Sequence, residues 1–77
     1  MIRIWGDFNA LGRKQGEFFV PIGLDPEPDI VRQGERLRDG LHLIVDDGSY
    51  EAEAFLFQAE GRWYARIVPG TGRDKLE

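Results

Sequence analysis

The sequence predicts an all-β domain, a small five-stranded antiparallel barrel, from three observations. Glycines and prolines divide the chain into short pieces. No piece carries apolar residues at helical spacing over a window of about 11 residues. Two pairs, Asp47-Gly48 and Glu60-Gly61, stand between runs of alternating apolar and polar residues, where two-residue hairpin turns belong.

The elements follow in order. The first strand runs from Ile2 to about Ala10 and the second, "EFFVPI", from Glu17 to Ile22, joined across the hairpin loop "LGRKQG". Pro21 has no amide N–H and marks an edge or a strand end. In "GLDPEPDIVRQGE", Pro26 and Pro28 bias their predecessors toward extended backbone, which reads as a polyproline-like crossover. Leu37–Asp46 is the third strand, bent at Gly40; Ser49–Ala59 is the fourth and Arg62–Val68 the fifth. Residues 1–69 form one domain, and 70–77 are a polar, flexible C-terminal tail.

The two turns set which face is the core. With Asp47-Gly48 as a type I′ pair, Val45 faces Tyr50, Leu43 faces Ala52 and Leu41 faces Ala54. With Glu60-Gly61 as the second, Leu56 faces Ala65 and Ala54 faces Ile67, so one apolar face crosses three strands. A three-residue loop at either turn would slip the register by one and set Leu43 against Glu51, and the two-residue reading is preferred for its consistency. Trp63 then belongs to the core face. The reverse face holds His42, Ile44, Glu51, Glu53, Phe55, Phe57, Arg62, Tyr64 and Arg66, with Phe57 beside Tyr64 and Phe55 beside Arg66. Either the barrel's own N-terminal strands cover these aromatics or a partner does, because monomers rarely leave large apolar patches bare.

Composition narrows the function classes. The 77 residues include no cysteine, so disulfide and thiolate chemistry are absent and a cytoplasmic setting is expected. No apolar run approaches the roughly 20 residues of a membrane span, and "MIRIWGDFN" lacks the apolar stretch of a signal peptide, so no membrane partner is expected. The net charge of −4 has the wrong sign for nucleic-acid binding by overall electrostatics, although Arg62 and Arg66 flank Tyr64 as a stacking site would require. His42 is the only histidine, which excludes a two-histidine metal site, and it lies near Glu53 as a strand histidine bonded to a carboxylate. Asp25, Glu27 and Asp29 lack the glycine bend of a calcium loop. Ser49 has no base in register, and "PGTGRDK" lacks the ending of a phosphate loop. No catalytic residue, cofactor or metal ligand is expected, and the chain reads as a non-enzyme.

The stretch "GERLRDGLHLIVDDGSYEAEAFLFQAEGRWYARI" is similar in rhythm to SH3-like barrels: glycine before a strand, a tight turn, then a hairpin bearing tryptophan. The resemblance covers about half the chain and rests on spacing. It implies a fold that hosts peptide binders, RNA-binding modules and structural domains alike. An OB-like barrel is the second candidate. The expected function is a non-enzymatic interaction module that binds a protein partner or self-associates through Ile44, Phe55, Phe57, Arg62, Tyr64 and Arg66. The alternative is a nucleic-acid-binding or ribosome-associated barrel using Arg62, Tyr64 and Arg66.

Overall fold

The computed structural model describes residues 1–23 and 25–75. Leu24 of the connector and Leu76 and Glu77 of the expected tail lie outside the described residues. The chain is mostly strand: β1 (Arg3–Trp5), β2 (Gly12–Lys14), β3 (Glu17–Ile22), helix α1 (Glu27–Arg32), β4 (His42–Asp46), β5 (Tyr50–Ala59), β6 (Arg62–Ile67) and β7 (Arg73–Asp74), with a 3₁₀ turn at Phe8–Ala10. The all-β expectation holds.

The closed barrel does not form, neither SH3-like nor OB-like. The strands lie in the order β1-β4-β5-β6-β3-β2, β7 pairs with β5, and β1 runs parallel to β4. The expected first strand is the reason. After Trp5 the chain leaves the sheet at Gly6, and the Asp7 carboxylate accepts the Asn9 N–H to cap the 3₁₀ turn. Residues 6–11 thus lead from one sheet edge, β1, to the other, β2, without pairing the two.

Gly6 is placed where only a glycine fits. A Cβ there would lie 2.5 Å from Val45 Cγ1 and 3.1 Å from Val20 Cγ1, so the bare backbone closes over the core between β4 and β3. That core comprises Ile4, Val20, Ile30, Leu41, Leu43, Val45, Ala54, Leu56 and Ala65, all buried. Trp63 lies on the same face, as its register requires, but is only partly buried at the periphery.

The connector is helical, which corrects the polyproline reading. Pro26 stands at the N-cap and Pro28 in the first turn, where a missing N–H costs no hydrogen bond and the fixed φ suits a helix. Glu27 and Asp29 oppose the dipole there, and the Asp25 carboxylate accepts the Glu27 N–H at 3.1 Å. Ile30, fully buried, is the side chain by which α1 seals the core.

The β5–β6 register is the expected one, including Leu56↔Ala65, Phe57↔Tyr64 and Phe55↔Arg66. Glu60 and Gly61 both have positive φ, 54° and 76°, as a type I′ turn demands. The β4–β5 pairs are shifted by two residues from expectation, to Val45↔Ala52 and Leu43↔Ala54. At this turn the Asp47 carboxylate accepts the Ser49 and Tyr50 N–H groups and that of Asp46 accepts the Gly48 N–H, which moves the loop centre to Gly48-Ser49. A shift of two preserves the faces, so the apolar set stays inside.

Candidate interaction surface

The reverse face of the sheet carries an aromatic row spanning β4, β5, β6 and β3. His42 stacks on Phe55 with ring centroids 4.7 Å apart, and the Arg66 guanidinium sits 5.4 Å from the same ring. Phe57 stacks on Tyr64 at 5.4 Å, and Phe19 meets Phe57 edge-on at 5.3 Å. Phe19, Phe55, Phe57 and Tyr64 are half-buried. The chemistry is apolar surface with a charged border, suited to contact.

All six expected residues lie on the β4–β6 strands, and the structure gives them different surroundings. Phe55, Phe57, Tyr64 and Arg66 belong to the row, whereas Arg62 is exposed at the β5–β6 turn and Ile44 lies between Arg3 and Glu53 in the strand register. Arg66 also faces Glu17 at 3.4 Å. His42 Nε2 and Glu53 Oε1 are 2.9 Å apart, the expected strand pair. Two exposed or half-buried aromatics lie outside the six expected residues. Phe19 joins the row because β3 pairs with β6 at Phe19↔Arg66, and Trp5, 62% exposed, stands on the edge strand β1. Among the described residues, no cluster of three histidine or acidic side chains could hold a metal, and no helix is long and apolar enough to cross a membrane.

Beside the row, an ionic network holds the C-terminal segment, expected as a flexible tail, against β5. Val68 N–H donates to the Glu53 carbonyl, the Thr71 hydroxyl accepts the Glu53 N–H, and Arg73 and Asp74 then pair with Glu51 and Tyr50. Glu51, only 4% exposed, accepts from Arg3 Nη1 at 2.6 Å and from Arg73 Nε at 2.8 Å; Lys75 Nζ donates to Asp46 Oδ2 at 2.6 Å. Gly72 lies so close to Tyr50 that a Cβ would fall 1.9 Å from its hydroxyl oxygen. A buried carboxylate flanked by two guanidiniums is satisfied at all its acceptors, which is what allows it to be buried.

This network sets an expected pH response. Hydrogen bonds from Arg3, then Arg73, hold the Glu51 carboxyl below its ordinary value of 4.5, and Lys75 with the Gly48 N–H holds Asp46 below 3.8. A carboxyl with a lowered folded-state pKa stabilises fully above its unfolded value and loses that contribution as pH falls through the folded one. The Thr71–Lys75 amide resonances should therefore keep their folded shifts from neutral pH down to 4.5 and move toward random-coil positions only below it. Release beginning near neutral pH would contradict the network.

The chain matches no family model, no curated protein and no solved structure, so its fold and the chemistry of this face stand as the grounds for a functional reading.

Proposed function

We propose that this chain is a non-enzymatic interaction module whose reverse sheet face meets an apolar protein surface, its own copy included. The observation that carries the reading is the set of ring contacts on the side away from the core, His42 stacked on Phe55, Phe57 stacked on Tyr64 and Phe19 edge-on to Phe57, spread over four strands. Stacked rings give rigid contact area at small entropic cost, which is how aromatic anchors work at interfaces. A nucleic-acid reading would use Arg62 and Arg66 around Tyr64. Arg66 is engaged with Glu17 and Phe55, and Glu53 borders the same face, which favours a protein partner.

Burying about 150 Å² of apolar surface on each of two copies, about 300 Å² in all, is worth about 8 kcal/mol before the cost of association and about 4 kcal/mol after a cost of about 4 kcal/mol, a scale of weak self-association. Sedimentation of the wild type should show a dimer forming near about 1 mM, little affected by added salt, and Phe55→Ser/Tyr64→Ser should remain monomeric and folded. A monomeric wild type at that concentration, or undiminished association of the variant, overturns the reading. Binding to single-stranded nucleic acid that weakens steeply with salt would replace it with the nucleic-acid alternative.

A further inference from the structure

The two edges of the sheet differ. At β1 the Gln33 carboxamide accepts the Arg3 N–H at 2.8 Å and donates to the Arg3 carbonyl at 2.6 Å, occupying the groups that a further strand would use. Among the described residues no side chain does this at β2, which is exposed throughout. Gln15 and Gly16 have positive φ, 54° and 81°, so they form a two-residue turn with Lys14 and Glu17 as its flanking pair. By the alternation of an antiparallel ladder, Arg13 then turns its N–H and C=O to the open edge.

Gly12 supplies a second observation. It needs neither positive φ nor a close approach, since a Cβ there would meet nothing within 4 Å. Yet it lies opposite Phe19, and with Lys14, Phe57 and Tyr64 it borders a depression of 650 Å³ on the reverse face. The missing side chain leaves the way to Phe19 open from the β2 edge. Arg13 and Lys14 form no ion pair among the described residues, and Arg13 lies 5.6 Å from the Phe18 ring on the other side of the hairpin.

We propose that β2 receives an extended segment of a partner protein in which acidic and apolar residues alternate. Strand addition would pair the segment's backbone with Arg13. Its apolar side chains, on the reverse side, would pass over Gly12 onto Phe19 and Phe57, and its carboxylates, on the other side, would meet Arg13. The cations also act against a wrong occupant, because the same edge of a second copy would bring Arg13 and Lys14 against their equivalents. The inference rests on the reading of the reverse face as a protein-binding surface and adds the partner's chemistry.

The test is an NMR titration of the whole chain with the acetylated, amidated peptide Glu-Leu-Glu-Leu-Glu. Amide shifts are expected at Gly12, Arg13, Lys14 and Phe19, with none from the peptide carrying Lys in place of Glu. Gly12→Val keeps or raises the melting temperature, valine being the better strand residue, and weakens binding about tenfold or more, as does Arg13→Glu. Unchanged affinity in Gly12→Val, equal binding of the Lys peptide, or no shift at β2 overturns the proposal. If the wild type self-associates through Phe55 and Tyr64 while the peptide leaves β2 unmoved, this inference fails alone. If neither occurs, both fail.

Discussion

Ile30→Ala is expected to cost about 2–5 kcal/mol, because a fully buried branched side chain is removed from the core and a cavity is left behind. A domain of this size holds only about 4–12 kcal/mol in total. Ile30 is the sole buried residue of α1, a helix of six residues too short to persist on its own propensity. Its apolar attachment within the helix therefore depends on this side chain, beside the Gln33–Arg3 hydrogen bonds at its C-cap, and the exposed neighbour Val31 cannot substitute for it. Thermal denaturation should show a melting temperature lower by about 10 °C or more, with the helical amides of Glu27–Arg32 losing their dispersion first. A variant melting within about 2 °C of the wild type would mean that α1 does not close the core.

Gly6→Ala is expected to destabilise by about 1–3 kcal/mol, and Gly6→Val by more, through overpacking. The added carbon would sit 2.5 Å from Val45 Cγ1, well inside contact distance, and Val20 at 3.1 Å blocks the other side. Both valines are fully buried, so neither can turn away into solvent. The remaining relief is to lift residues 6–8 off the core, which would also separate Phe8 from Tyr50, whose rings meet edge-on at 5.0 Å. Gly12→Ala is the matched control, since nothing lies within 4 Å of a Cβ there. Chemical denaturation of the two variants should separate them clearly, and equal stability would show that the Gly6 segment is loosely placed.

How far the sequence could be read depends on how local each feature is. Glu60 and Gly61 carry their turn chemistry in two adjacent residues, and from them the pairs Phe57↔Tyr64 and Phe55↔Arg66 follow. At the other hairpin, two consecutive aspartates bring carboxylates that compete for the turn amides, and the loop centre moves toward Gly48-Ser49. The faces survive because the shift is even. The helix was signalled by prolines and acids in a first turn, but six residues are too few to display a period. What was not legible is non-local. That β1 would run beside β4, that Phe19 would reach Phe57, and that Arg73 would meet Glu51 from 22 positions away are all decided by tertiary packing. Hence the half of the site on β5 and β6 could be named in advance, and the half supplied by β3 could not.

The claim that the reverse face is an interaction surface is tested most directly by amide NMR spectra recorded from tens of micromolar to about 1 mM, the range in which an interface worth about 4 kcal/mol net of the cost of association becomes populated. The account predicts concentration-dependent shifts at His42, Phe55, Phe57, Tyr64 and Arg66, with Leu43, Leu56 and Ala65 on the core side unmoved. Spectra that superimpose across the range, or shifts centred on Trp5 and β1 with the aromatic row silent, would contradict it.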